Sequence, residues 1–114
     1  VLARRTKANV SRVLNIADLE YNLDTLEVHR GGGSIQLNPT ALKILQALME
    51  SSPSVVTRTE LETKVWGEEL PDSDSLRVHI HGLRAAIDKP FPTHLIQTRH
   101  GIGYRIVDPD AVQA

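Results

Sequence analysis

Cysteine is absent from this chain. That excludes a disulfide framework and thiol chemistry, and it suits a reducing compartment such as the cytoplasm. Long apolar runs are absent as well. Nothing approaches the roughly 20 residues needed to span a bilayer, so no membrane contact is expected of this domain. The opening Val1-Leu2-Ala3-Arg4-Arg5 lacks the apolar stretch of a secretory signal. It also lacks an initiating methionine, and the expectation is a piece of a longer protein. Internal repeats and low-complexity tracts are missing. Net charge is nearly missing too, at −1, yet the balance is uneven. Arg4, Arg5, Lys7 and Arg12 crowd the first dozen residues, which hold no acid, while the remainder sets nine Lys or Arg against fourteen Asp or Glu. A basic arm points toward a polyanion and an acidic body points away from one, so composition alone assigns no partner.

What is present is one domain's worth of alternating element types over 114 residues. Residues 1–12 read as a basic arm or linker, 13–108 as the domain, and 109–114 as a loose tail. Asn15 to Tyr21 alternates apolar and polar residues, which predicts one half-buried strand. Asn22-Leu23-Asp24 turns the chain into a second strand, Thr25 to Arg30, with Leu26 and Val28 inward. The Gly31-Gly32-Gly33 turn leads to a third strand, Ser34 to Leu37. A helix then starts at Asn38-Pro39, capped by Asn38 or Thr40 and striped by Ala41, Leu42, Leu45, Leu48 and Met49, with Ile44 widening the stripe. Val55-Val56 suggests a short strand. Thr57 with Glu60 forms a capping box for a second helix that packs Leu61, Val65 and Trp66 inward.

The longest amphipathic signal follows the 67–72 loop. From Ser73 to Asp88, Leu76, Ile80, Leu83 and Ile87 recur at helical spacing and predict a buried stripe. Ser73 is the expected cap, with Asp72 or Asp74 at the positive end of the helix dipole. The opposite side carries Ser75, Val78, His79, Gly82 and Ala86, with Asp74, His81 and Ala85 beside them. Such short side chains permit close approach to another surface. Lys89-Pro90-Phe91-Pro92 ends the helix. His94 to Thr98 and Tyr104 to Val107 then predict a hairpin around Arg99-His100-Gly101-Ile102-Gly103. The fold class is α+β: an amino-terminal antiparallel sheet, three helices and a carboxyl-terminal β-hairpin.

Enzyme chemistry finds no footing in these residues. The glycine triplet lacks the Lys-Ser/Thr of a phosphate-binding loop, and no nucleophile elbow occurs. His79 and His81 lie two apart on a helix and diverge, so they do not form a metal pair. No catalytic residue, metal or cofactor is expected.

Four segments in order carry a family resemblance. They are Leu37-Asn38-Pro39-Thr40-Ala41-Leu42-Lys43-Ile44-Leu45; Val55-Val56-Thr57-Arg58-Thr59-Glu60-Leu61 with Val65-Trp66-Gly67; Val78-His79-Ile80 with Leu83-Arg84; and Ile96, Thr98, Gly101, Gly103, Tyr104 and Arg105. Over about residues 16–107 the chain resembles the winged-helix DNA-binding domain at the carboxyl end of OmpR/PhoB-type response regulators, the effectors of two-component signalling. The resemblance implies a winged helix-turn-helix with the third helix in the DNA major groove. The hairpin is then the wing, set on the backbone or the adjacent minor groove. It implies double-stranded DNA with direct-repeat half-sites as partner, RNA polymerase as a second partner, and a cytoplasmic transcriptional regulator. It further implies an upstream receiver domain phosphorylated by a histidine kinase, and a homodimer at full length.

Position by position, the resemblance makes Val78 a residue that touches base edges through apolar contact with thymine methyls. Ser75 and His79 fall near phosphates at the helix start, and Arg58 matches a phosphate contact. Arg84 is the arginine of the family's Leu-Arg pair. In the wing, Thr98 matches the family's Thr and His100 stands where Arg is common. Arg77, Arg99 and Arg105 add positive charge near the helix or wing, with Arg99 placed to stand in for that arginine. Gly82 allows close approach. Glu68, Glu69 and Asp72 form an acidic loop that the family suggests for polymerase contact. The chain departs from the pattern at Asp74, Arg77, His81, Gly82, Ala85 and Ala86, which leaves the third helix poor in side chains that read bases by paired hydrogen bonds. His79, His81 and His100 predict DNA affinity that rises as the pH drops. The rival reading is a winged helix used for protein interaction, docking polymerase or a receiver domain, with specific DNA binding weak or lost.

Overall fold

The computed structural model describes residues 12–67 and 75–109. The expected arm through residue 11, the loop acids Glu68, Glu69 and Asp72, the Ser73 cap, Asp74 and the tail from residue 110 lie outside them.

The first third is a four-stranded antiparallel sheet, where the alternation predicted three strands. Its strands are β1 (Val13–Ile16), β2 (Leu19–Asn22), β3 (Glu27–Arg30) and β4 (Gly33–Ile35), in the order β1-β2-β3-β4. The difference arises at Ala17, whose φ of 55° folds the expected single strand into a hairpin pairing Ile16 with Leu19. Leu26 was expected inward. It takes φ 62° in the next turn, which brings its N–H to the Asn22 carbonyl at 2.7 Å and leaves the side chain 56% exposed. β4 ends at Ile35, two residues before the predicted end.

Three helices follow. In α1 (Pro39–Ser51), Asn38 caps the start by accepting the Ala41 N–H at 2.8 Å, and Pro39 fits the first turn because its missing donor has no partner there anyway. β5 is only Val56–Thr57. It runs into α2 (Arg58–Trp66), whose capping box closes both ways: Glu60 N–H donates to Thr57 Oγ1 at 3.1 Å, and Thr57 N–H donates to Glu60 Oε1 at 3.0 Å. α3 is Ser75–Ile87, with Leu76, Ile80, Leu83 and Ile87 all buried as the spacing predicts. The chain closes with β6 (Ile96–Arg99) and β7 (Gly103–Ile106).

The second sheet has the order β5-β7-β6, so the short strand before α2 becomes the edge partner of the terminal hairpin. This is winged helix-turn-helix topology. One core of Ile44, Leu45 and Leu48 from α1, Leu61 from α2, the α3 stripe, and Ile96 and Ile106 from the hairpin joins the layers. Trp66 is half-buried against that core, and Ala86, expected on the open side of α3, packs there too. No helix among the described residues is long and apolar enough to cross a membrane.

One buried charge ties the first sheet to the end of α3. Arg30 is 1% exposed. Its Nε donates to Asp18 at 2.8 Å, Nη1 to Asp88 at 3.2 Å and Nη2 to the Thr93 carbonyl at 2.6 Å. Nη1 also donates to the Ile87 carbonyl, and the guanidinium carbon lies 4.6 Å from the Phe91 ring centroid. Asp88 is buried as well, and its carboxylate accepts the N–H groups of Leu95 and Ile96, both at 3.0 Å. Burying a charge is tolerable only with such complete pairing.

Candidate nucleic-acid interface

With its apolar stripe committed to the core, α3 turns Arg77, Val78, His81, Gly82 and Ala85 to the outside. Val78 is 63% exposed. A Cβ added to Gly82 would meet nothing within 4 Å, so the domain's own packing does not call for a glycine there.

The start of α2, one flank of α3 and the wing enclose a groove of about 610 Å³. Arg58 enters from α2; Arg77, His81 and Arg84 from α3; Arg99 and His100 from the wing. No Asp or Glu lines it among the described residues. Three hydrogen bonds fix the walls. The Arg58 N–H donates to the Ile102 carbonyl at 3.3 Å, tying α2 to the wing turn. Arg84 Nη2 donates to Thr98 Oγ1 and, at 3.4 Å, to the Ile96 carbonyl, tying α3 to β6. Arg84 thus braces the helix against the wing. Arg58 is half-exposed and lies 4.0 Å from Glu62, one helical turn on.

The groove gathers Arg58, Arg77, His81, Arg84, Thr98, Arg99 and His100 of the residues expected from sequence. Val78 and Gly82 lie on the exposed face of α3 beside it. Ser75, His79 and Arg105 do not line it. The His79 Nδ1 sits 2.8 Å from the Ser75 carbonyl, and since a carbonyl only accepts, that nitrogen carries the proton. The same ring meets Trp66 edge-on, with centroids 5.8 Å apart and planes at 65°. Arg105 Nε donates to Gln97 Oε1 at 2.8 Å, across the hairpin pair Gln97 and Arg105. Two other cross-strand pairs of the hairpin line the groove, Thr98 with Tyr104 and Arg99 with Gly103.

Sequence reasoning passed over Ile102, 58% exposed at the wing turn. Its signal was its setting between Gly101 and Gly103, where a tight turn leaves an apolar side chain nothing to bury against. On the other flank of α3, His81 and Arg84 share a second cavity of about 420 Å³ with Asp88, Lys89 and His94. Among the described residues no group of three or more His, Cys, Asp or Glu is arranged to hold a metal ion.

Residues 32–106 match the family described as "Transcriptional regulatory protein, C terminal". The chain belongs to this family. It is 34% identical over 107 residues to the phosphate regulon transcriptional regulatory protein PhoB of Rhizobium meliloti, covering 92% of this chain and 47% of that protein. Among solved structures, it is similar to the DNA-binding domain of CpxR from E. coli, with TM-score 0.74, 28% identity, and coverage of 86% of this chain and 98% of that one. It is equally similar to response regulator DrrB, a Thermotoga maritima OmpR/PhoB homolog, with TM-score 0.74, 29% identity, and coverage of 83% of this chain and 44% of that one. The chain spans about half the length of the curated relatives it matches. It is an OmpR/PhoB-type winged-helix effector domain, in a family of DNA-binding transcriptional regulators rather than catalysts.

Proposed function

We propose that this domain docks on duplex DNA with α3 in the major groove and the hairpin wing on the backbone or the adjacent minor groove. The observation that supports this best is the meeting of four arginines and two histidines from three elements in one groove free of carboxylates among the described residues. An α-helix about 10–12 Å across fits a major groove of about 12 Å. Arg58, Arg99 and His100 hold phosphates on either side of α3. Arg77 and His81 follow the strand between them, and Arg84 positions the wing. Val78, exposed at the centre of the helix face, meets thymine methyl groups, and Gly82 lets the base pairs come close.

Phosphate contacts give affinity and salt dependence, whereas base contacts give sequence preference. The outward face of α3 offers few groups for the latter, so one domain binds weakly. We infer that an upstream receiver domain, phosphorylated by a histidine kinase, pairs two copies in the cytoplasm and thereby raises the effective concentration at the second of two direct-repeat half-sites. The loop with Glu68, Glu69 and Asp72 is then the contact offered to RNA polymerase. Residues 13–108 are the effector unit in this reading.

Titration of this chain into random-sequence duplex at two salt concentrations, followed by selection of preferred sites from a random pool, tests it. Salt-dependent binding with an enriched direct repeat is the expected result. Salt-dependent binding without enrichment removes base reading by this chain alone. No binding at about 20 mM salt, where phosphate contacts are strongest, overturns the docking. It would favour the protein-interaction role, for which exposed Val78 and Ile102 supply an apolar surface.

A further inference from the structure

The groove holds two kinds of positive group. The guanidiniums of Arg58, Arg77, Arg84 and Arg99 are charged at any working pH, whereas an imidazole ordinarily titrates near pH 6.5. His81 reaches the groove from α3 and His100 from the wing turn, and both side chains are exposed. Tyr104 is the remaining titratable group on the lining. The acids nearby are already engaged. Glu62 faces Arg58 at 4.0 Å, and Glu60 is held in the capping box. On the other flank of α3, His81 shares its second cavity with Arg84, Lys89, His94 and Asp88. The Asp88 carboxylate is buried and bound by Arg30 and two backbone N–H groups. Among the described residues, then, a protonated His81 or His100 has no uncommitted carboxylate in the groove to satisfy it. A phosphodiester laid there would be that partner.

We propose that His81 and His100 make the hold of this domain on DNA depend on protons, each ring becoming an additional phosphate contact when it gains one. This rests on the docking described above and adds its regulation. The linkage is reciprocal: a phosphate that favours the charged ring is itself bound more tightly once the ring is charged. Neutral rings leave the arginines alone to neutralise the backbone. Acidification adds up to two charges, one from α3 and one from the wing turn. His79 takes no part, because its Nδ1 faces the Ser75 carbonyl and its ring rests on Trp66.

The test uses this chain and a labelled random-sequence duplex of about two helical turns, titrated at several salt concentrations. Affinity is expected to rise roughly twentyfold from about pH 7.5 to about pH 6, about fourfold for each ring, if each ring's affinity for protons rises about tenfold on DNA. The slope of log affinity against log salt should steepen by up to about 2 over the same range. The double variant His81→Gln with His100→Gln should lose both changes, and His94→Gln should keep them. Salt-dependent binding that stays flat with pH in the unsubstituted chain would overturn this proposal and leave the docking intact. An undiminished pH response in the double variant, or a lost one in His94→Gln, would overturn the assignment to these two rings. Absence of binding at either pH would remove the docking itself. Because the salt slope is read on the unsubstituted chain, a variant that fails to fold does not spare the proposal.

Discussion

Gly103 stands where β7 passes so near β5 that no side chain fits. A Cβ there would overlap the Val56 carbonyl oxygen and lie 2.7 Å from the Thr57 Cα. Both obstacles are backbone, so they move only if the sheet moves. Gly103→Ala should therefore cost about 2–4 kcal/mol, seen as a lower denaturant midpoint. An unchanged midpoint would mean that β5 and β7 part freely. Gly82 presents the opposite case. Open space surrounds it in mid-helix, so Gly82→Ala should stabilise the fold by about 0.5–1 kcal/mol. If the bare backbone serves close approach to base pairs, the same variant weakens DNA binding. A gain in stability with unaltered binding would strip Gly82 of that role. The two glycines look alike in sequence, and their surroundings alone separate them.

At the scale of elements, the Arg30 cluster is the joint between β3 and the end of α3. Its bond to half-exposed Asp18 contributes little in water. The weight falls on Asp88 and the two carbonyls, which are shielded. Arg30→Met should cost about 3–5 kcal/mol by leaving the Asp88 charge with less compensation, measured by urea unfolding. A loss below about 1 kcal/mol, the size of a surface pair, would show that Asp88 is satisfied without it. The joint was not legible in the sequence. A lone arginine at a strand end reads as a solvent-facing charge, and its partners are Asp18 and residues 87–93, which only the tertiary fold assembles. The helices were legible because their signals are local: Asn38-Pro39, the Thr57 and Glu60 box, and the four-residue steps of the α3 stripe. In the first sheet the turns after Asn22 and at Gly31-Gly32 were legible too, but the hairpin at Ala17 and the backbone of Leu26 were not, since both residues adopt positive φ without the glycine or asparagine that usually announces it. The surroundings of His79 were hidden for a related reason. Helical periodicity places it on the open side, but Trp66 arrives from the end of α2 and covers it.

Across the whole molecule, a net charge of −1 conceals a division of labour. Asp18, Glu20 and Glu27 line a cavity on the first sheet, while the arginines gather between α2, α3 and the wing. Such a separated distribution orients an approaching polyanion toward one face even when the total is near zero, which is why composition pointed both ways. Arg58→Ala and Arg99→Ala should each lower the salt slope of DNA binding by about 0.9, measured in the same titrations, and should weaken all sequences alike. A residue whose removal leaves the slope unchanged has no phosphate partner. The strand order β5-β7-β6 also sets a schedule. β5 is made early, at Val56–Thr57, yet its partner, β7, ends at Ile106. While the ribosome is still releasing the chain, the helices have no wing to lean on and the groove has no third wall. A product cut short before β7 would therefore carry α3 without the third wall of the groove and, on the docking proposed above, would make a poor competitor for the finished protein's sites.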